Sequence, residues 1–202
     1  MLSQKRDRML VSGIALLIAV AIPGSAASTL PVCVWGTSTA TATPGHPLGD
    51  WYYCITLEWG PLSHALSHWD IILGLEDCPC ACSDFPFGAA DTAGTSDGEG
   101  DCTVDYSAGY HCDDPSIEGV EGPLVKFEPI GDGCEPDKSG SGMFCFYSDW
   151  APAPVSTPNN LALVKYATLT CSGEITGQLP GCACGTTSTK THHWGAIKNL
   201  FR

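Results

Sequence analysis

Hydrophobic and polar residues alternate along several segments of the chain. In residues 50–59 every second side chain is apolar, namely Trp51, Tyr53, Ile55, Leu57 and Trp59. A period of two that uses aromatic and β-branched residues predicts a half-buried β-strand. The same pattern predicts strands at residues 67–75, 122–130, 143–150 and 161–171. Their inward faces are expected to carry Trp69, Ile71, Leu73, Leu75, Val125, Phe127, Phe144, Phe146 and Trp150.

No segment shows a sustained period of 3.6 residues, so short strands separated by turns predict an all-β fold. We expect an antiparallel β-sandwich with long, disulfide-held loops. The longest of these loops is predicted at residues 78–114, which are rich in Gly, Asp and Cys and show little periodicity. A loop of that length would be unusual in a compact domain unless disulfides held it.

The first residues have the pattern of an export signal. Lys5, Arg6 and Arg8 precede an uncharged apolar run at residues 9–22, and small residues follow. This order predicts a signal-peptide helix with cleavage near Ala27. The run is shorter than the ~20 residues of a membrane-spanning helix, so we expect no membrane span after cleavage; an uncleaved anchor is the alternative. The predicted organisation is a signal peptide at 1–27, a β domain at 28–185, and a Ser/Thr linker with a short tail at 186–202.

All 12 cysteines follow the predicted signal peptide. They are Cys33, Cys54, Cys78, Cys80, Cys82, Cys102, Cys112, Cys134, Cys145, Cys171, Cys182 and Cys184. An even number of cysteines in an exported chain predicts a disulfide framework in an oxidising compartment. We therefore expect a secreted or cell-surface protein. The pattern leaves the pairing of the cysteines open.

Composition excludes two classes of protein. The chain carries 9 basic and 22 acidic residues, a net charge of −13, and its lysines are scattered after the signal peptide. Binding along a nucleic-acid backbone needs clustered Lys and Arg, so we expect no nucleic-acid partner. Charged residues make up 15% and apolar residues 44% of the chain, which predicts a folded core and not an acidic disordered chain.

Two patterns are similar to metal-binding motifs. Closely spaced cysteines at residues 78–82 and 182–184 could chelate a soft metal through their thiolates. No C-x-x-C motif occurs, however, and an oxidising compartment favours disulfides. His64 and His68 are four residues apart, but Ala65 stands where the zinc-protease motif has Glu. A polar histidine with satisfied hydrogen bonds beside Trp69 is the better interpretation of His68.

Residues 94–98 match the G-x-S-x-G pattern of hydrolase nucleophiles, with Ser96 at its centre. That chemistry requires an apolar strand before the serine and a helix after it. An acidic, Gly-rich segment surrounds Ser96 instead, and no acid–base pair is placed together by the sequence. We therefore predict that the protein is not an enzyme.

Four carboxylates at nearly alternate positions are candidate calcium ligands: Asp97, Glu99, Asp101 and Asp105. Acidic oxygens in a Gly-rich segment can surround Ca²⁺, although the residue pattern of an EF-hand loop is absent. A solvated acidic run is the alternative. We expect no cofactor, and calcium is the alternative.

Exposed aromatic side chains on a β-rich domain can stack on sugar rings. The candidates are Trp35, Trp51, Tyr52, Trp59 and Trp150. Trp51 and Trp59 also fit the inward face of their predicted strand, so core packing explains these two first.

Three short motifs stand out between residues 51 and 182. Residues 65–69 (Ala-Leu-Ser-His-Trp) continue to Leu75 and Cys78, and residues 119–127 contain Gly-Pro-Leu-Val-Lys-Phe. A Leu-Val-Lys-Tyr-Ala segment at 163–167 then precedes a Gly-to-Cys segment at 177–182. This combination resembles a largely uncharacterised family of exported bacterial domains that look like extracellular β-sandwich modules in surface proteins. The resemblance implies a bridge between Cys78 and Cys182, and it implies no reaction.

The sequence thus predicts an exported, disulfide-stabilised β-sandwich module with a structural or surface-interaction role and no catalysis. A module that binds a glycan or calcium is the alternative. The partner is expected to be an extracellular or cell-surface molecule whose identity the sequence leaves open.

Overall fold

The computed structural model describes residues 30–74, 79–86, 88–90, 94–131, 133–155 and 162–182. The strands are β1 (Val32–Ala42), β2 (Trp51–Trp59), β3 (His68–Ile72), β4 (Gly88–Ala89), β5 (Gly94–Asp97), β6 (Thr103–Asp113), β7 (Glu121–Pro129), β8 (Gly140–Ser148), β9 (Pro152–Pro154), β10 (Ala162–Tyr166) and β11 (Leu169–Pro180). Within these ranges, no helix is long and apolar enough to cross a membrane. The predicted signal peptide and C-terminal tail lie outside the described residues.

Nine of the strands form a closed β-barrel. Their order is β1-β2-β8-β5-β6-β7-β3-β10-β11, and a parallel pairing of β11 with β1 closes the circle. The predicted β-sandwich is therefore wrong, although the all-β class is confirmed. A sandwich would leave β1 and β11 as free edges, whereas their pairing continues one sheet around the whole core.

The seam between β1 and β11 depends on two glycines. A Cβ atom at Gly173 would collide with the backbone of Val34, and one at Gly177 would collide with the backbone of Ser38. Gly177 also has a φ of 99°, which side-chain-bearing residues rarely adopt. Small residues at these positions let the two strands approach closely enough to pair.

The barrel interior is filled by the alternating apolar residues that the sequence analysis identified. Tyr53, Ile55 and Leu57 from β2 are fully buried, as are Phe144 and Phe146 from β8. Trp69 stacks on Phe127 at a centroid distance of 4.6 Å, and the ring of Phe144 meets Trp69 edge-on at 4.9 Å. The predicted inward faces of these strands are thus confirmed.

Two predicted segments differ from the structure. Residues 161–171 were expected to form one strand, but β10 ends at Tyr166, and Ala167 turns the chain into β11 with a φ of 53°. Residues 78–114 were expected to form a loop, yet they contain β5 and the 11-residue β6. The inward face of β6 is carried by Val104, Tyr106 and Tyr110, and small and polar residues between them hide the alternation.

Five disulfides join described residues, which confirms the predicted framework. They are Cys33–Cys171, Cys54–Cys145, Cys80–Cys182, Cys82–Cys112 and Cys102–Cys134. The implied Cys78–Cys182 bridge is wrong, because Cys182 pairs with Cys80; Cys78 and Cys184 lie outside the described residues. These bonds also use the thiols of Cys80, Cys82 and Cys182 that a soft-metal site would need.

Two of these bonds have distinct places in the fold. The seam bridge, Cys33–Cys171, joins β1 to β11 and links residues 138 apart in sequence. The hairpin bridge, Cys102–Cys134, holds the tip of the β5–β6 hairpin and links residues 32 apart. A set of such bonds indicates an oxidising, extracellular type of environment.

Candidate functional sites

A surface groove lies where β1 runs between β2 and β11. The strand register places Trp35 of β1 beside Glu58 of β2 and beside Glu174 of β11. Two residues further along β1, Thr37 lies between Thr56 of β2 and Thr176 of β11. All six side chains point away from the barrel core and are exposed, since alternate residues of a strand face opposite sides. We call this set of six side chains the Trp35 groove.

The groove has a fixed aromatic centre. Trp35 is 46% exposed, and its indole Nε1 donates a hydrogen bond to Glu58 Oε2 at 2.9 Å. The hydroxyls of Thr37 and Thr176 lie 3.3 Å apart, and Thr176 Oγ1 also donates to the carbonyl oxygen of Gly36. The depression that these residues line has a volume of about 350 Å³. It combines an apolar ring with carboxylates and hydroxyls.

The other candidate aromatic residues are less available. Trp59 is buried and donates from Nε1 to the carbonyl of Asp137, and half-buried Trp150 donates to the carbonyl of Asp84. Trp51 is half-buried at the start of β2, as its predicted inward position requires. Half-buried Tyr52 packs against Tyr147 at a centroid distance of 4.6 Å.

A second site is built on the outer face of β3. Trp69 and Ile71 point into the barrel, so His68 and Asp70 point away from it, yet both are buried. The connection between β6 and β7, residues 114–120, lies against this face, since Asp114 and Ser116 in it contact His68. Asp114 in this connection is also buried, and its carboxylate approaches both side chains. We call His68, Asp70 and Asp114 the buried cluster.

Distances within the buried cluster are short. His68 Nε2 lies 2.8 Å from Asp114 Oδ2, and the Lys126 ammonium lies 3.4 Å from the same oxygen. Neither contact has the alignment of a hydrogen bond. Lys126 also pairs with Glu128 at 3.0 Å. Both oxygens of Asp70 are fully buried and have no hydrogen-bond partner within the described part of the chain.

The surroundings shift the pKa of each group in a different direction. Burial, with the charge of Asp114, raises the pKa of Asp70 to about 8. Burial also opposes ionisation of Asp114, but hydrogen bonds from Ser116 and the charges of His68 and Lys126 outweigh it and hold its pKa well below the usual range. Burial, with the charge of Lys126, lowers the pKa of His68. At neutral pH the cluster therefore holds a neutral imidazole, one ionised carboxylate and one proton on Asp70.

The buried cluster also contacts a serine, which raises the question of a catalytic triad. The hydroxyl of Ser116 lies 3.3 Å from His68 Nε2, the same nitrogen that Asp114 contacts. In a hydrolase triad the serine and the carboxylate contact opposite nitrogens of the imidazole, so that a proton can pass from one side while the other is held. The arrangement here places both groups on one nitrogen, which does not support a proton relay.

The predicted calcium ligands lie on the β5–β6 hairpin. Asp97, Glu99, Asp101 and Asp105, called here the hairpin carboxylates, are all exposed. Among the described residues, the one group of three acidic, histidine or cysteine ligands that lie within 4.8 Å of one another is the buried cluster. Calcium binding by the hairpin carboxylates stays a prediction.

The remaining patterns in the sequence are placed as follows. Ser96 lies inside β5, and its hydroxyl is 3.0 Å from the hydroxyl of Tyr106, so it is not at a strand–helix turn. His64 is exposed, whereas His68 is buried with polar partners, and the two do not form a common site.

Sequence reasoning missed Glu58, Glu174, Asp70 and Asp114 as site residues. Glu58 meets Trp35 through the pairing of β1 with β2, and Glu174 meets it only through the closing pair of β1 and β11. Asp70 had a detectable signal, because it lies two residues after His68 in a predicted strand and therefore shares its face.

No protein-family model matches the chain, and no curated protein or solved structure matches it significantly.

Proposed function

We propose that this protein is a non-catalytic, disulfide-stabilised extracellular module with a surface-interaction role, and that it binds carbohydrate in the Trp35 groove. The observation that carries this proposal is the exposed indole of Trp35, oriented by Glu58 and bordered by a second carboxylate and by threonine hydroxyls. An indole face packs on the C–H face of a sugar ring, while carboxylates and hydroxyls accept and donate hydrogen bonds at the ring edges.

The dimensions of the groove fit a short stretch of sugar. Neighbouring strands are about 4.8 Å apart, and side chains on one face of a strand recur every ~6.6 Å. The six side chains of the groove therefore cover roughly 10 by 7 Å, the size of one or two sugar rings. An open surface of this kind suits an internal segment of a polysaccharide.

The negative charge around the groove limits the class of carbohydrate that can bind there. Glu58 and Glu174 lie on either side of the indole, and the whole chain carries a net charge of −13. An anionic polysaccharide would be repelled by both. We therefore infer a neutral or amino-sugar-containing glycan.

Two carboxylates beside a sugar site also raise the possibility of glycoside hydrolysis. A general acid in such an enzyme must keep its proton near neutral pH, which requires an apolar, shielded setting. Glu58 and Glu174 are instead exposed on an open barrel surface. This exposure, together with the geometry of Ser116 and His68, supports a binding role over catalysis.

Affinity electrophoresis and calorimetry with soluble polysaccharides test this proposal. We expect a neutral glucan or chitosan to bind the wild type, alginate not to bind, and Trp35→Ala to lose binding. Leu169→Ala is the matched control, because Leu169 on β11 is 49% exposed, close to the 46% of Trp35, and lies outside the groove. Equal binding by wild type and Trp35→Ala would contradict the site. Hydrolysis of the bound glycan that disappears in Glu58→Gln would contradict the non-catalytic role.

A further inference from the structure

We propose that the buried cluster is a binding site for a divalent transition-metal ion, of the kind represented by Zn²⁺. This inference is independent of carbohydrate binding, since the cluster lies on β3 and the β6–β7 connection and shares no residue with the Trp35 groove.

The geometry supplies three ligand atoms from two elements. His68 and Asp70 lie on the same face of β3, and Asp114 reaches them from the connection that lies against this face. One nitrogen and two oxygens lie within 4.8 Å of one another. Zinc–ligand bonds of about 2.0–2.2 Å place neighbouring ligand atoms roughly 3–4 Å apart, so rotations of these side chains bring the three atoms to coordination distance.

Asp70 is the observation that points to a cation. Its side chain is fully buried, it faces the other two ligands, and neither of its oxygens has a partner within the described residues. A buried carboxylate without a partner is unfavourable by several kcal/mol in general, and proteins normally satisfy such a group with a donor or a cation. A metal ion between Asp70 and Asp114 would displace the proton of Asp70 and pair with both carboxylates.

The nearest protein cation does not fill this role. Lys126 lies opposite Asp70 in the strand register, but its ammonium contacts Asp114 and Glu128. Because Glu128 is more exposed than Asp114, Lys126 has an outward partner to which it can turn when an ion takes the inner oxygens. The positive charge of Lys126 would nevertheless repel the metal ion, so the position of this side chain affects the affinity of the site.

The donor set selects the type of ion. One imidazole and two carboxylates suit Zn²⁺, Mn²⁺ or Fe²⁺ better than Ca²⁺, which prefers six or more oxygens. The hydroxyl of Ser116, 3.3 Å from His68 Nε2, lies close enough to supply a fourth ligand or to hold a water in that position. A bound ion would fasten residues 114–120 to the wall of the barrel.

Calorimetry and metal analysis of the chelator-treated full chain with Zn²⁺ test this proposal. We expect one equivalent of bound Zn²⁺ that Asp70→Asn and Asp114→Asn each weaken by more than about 100-fold, since each removes a charged ligand. Asp113→Asn and His64→Ala are matched controls on exposed neighbours and should bind as the wild type does. Lys126→Gln should bind Zn²⁺ more tightly, because it removes the opposing charge.

Three results would overturn the inference: no stoichiometric Zn²⁺ in the wild type, unchanged binding in both aspartate variants, or weaker binding in Lys126→Gln. Near-UV circular dichroism establishes that each variant is folded. The visible spectrum of Co²⁺ bound to the wild type provides a readout that needs no substitution. We expect a spectrum typical of nitrogen and oxygen ligands, with no thiolate-to-cobalt charge-transfer band. The presence of such a band would also overturn the assignment.

Discussion

The proton on Asp70 leads to an unusual expectation, that removing this acid stabilises the protein. Burial and the charge of Asp114 raise the pKa of Asp70 from 3.8 to about 8 in the folded state. Between these two values the folded chain binds a proton that the unfolded chain releases. The contribution of Asp70 to stability is therefore most favourable below pH 4, and it declines as the pH rises towards 8.

The size of the effect follows from the two pKa values. At pH 7 the unfolded carboxyl is about three pH units above its pKa, and each unit corresponds to about 1.4 kcal/mol. Protonating Asp70 on folding at pH 7 thus costs about 4 kcal/mol. Asp70→Asn has nearly the same shape, carries no charge and offers an amide N–H that can donate to Asp114. It should raise the free energy of unfolding of the metal-free protein at pH 7 by up to about 4 kcal/mol.

Urea unfolding of chelator-treated wild type and Asp70→Asn at pH 4, 5, 6, 7 and 8 measures this difference. His68, Asp114 and Lys126 are present in both proteins, so the difference between the two curves reports mainly the titration of Asp70. We expect the difference to grow in favour of Asp70→Asn from pH 4 to pH 8. A variant that is less stable than the wild type at pH 7, or a difference that does not change with pH, would refute the reasoning.

Three further predictions concern the barrel and its hairpin. Gly173→Ala should destabilise the protein by about 1–3 kcal/mol in urea unfolding, because its Cβ would collide with Val34 at the seam; Gly131→Ala, where the space is open, should change little, and equal effects would contradict the tight seam. Removing both cysteines of the seam bridge should cost about 1 kcal/mol more than removing both of the hairpin bridge, because the seam bridge closes a longer loop; the reverse order in the same assay would contradict that account. If the hairpin carboxylates bind calcium, Ca²⁺ should raise the melting temperature and Asp101→Asn should reduce the rise; an unchanged melting temperature with and without chelator would exclude the site.

The strand faces were predictable where large apolar residues alternate with polar ones. Residues 50–59 and 143–150 have this pattern, and the structure buries the side chains that the pattern selects, such as Ile55 and Phe146. β6 lacks the signal, because the small side chain of Ala108 interrupts its inward face between Tyr106 and Tyr110. The same lack of large side chains hid β1, whose sequence from Gly36 onwards is mostly Thr, Ser and Ala.

Closure of the barrel was not predictable from local patterns. It rests on a parallel pairing between β1 and β11, and the partners are separated by about two thirds of the chain. Alternation indicates which face of a strand is buried, but it does not distinguish a sheet that curls on itself from two sheets that stack. The Trp35 groove depends on this closure, since Glu174 reaches Trp35 only across the seam.

The buried cluster shows a different limit. On an antiparallel strand with one face in the core, His68 and Asp70 are expected to face solvent. They are buried because the connection between β6 and β7, with Asp114 and Ser116, lies against them. The sequence of that connection has no periodic pattern from which this contact could be predicted. His68 and Asp70, which the alternating pattern assigned to the surface, are thus the buried residues on which the proposed metal site rests.

The most direct test of carbohydrate binding is a ¹⁵N-resolved nuclear magnetic resonance titration of the wild type with the glucan or chitosan that binds in affinity electrophoresis. Each tryptophan indole N–H gives its own signal, so the experiment reports which of the 6 tryptophans meets the sugar. We predict that the indole signal of Trp35 shifts, together with the amide signals of Thr37 and Thr176, while that of buried Trp59 does not. Shifts centred on any other tryptophan, with the Trp35 signal unchanged, would contradict carbohydrate binding in the groove.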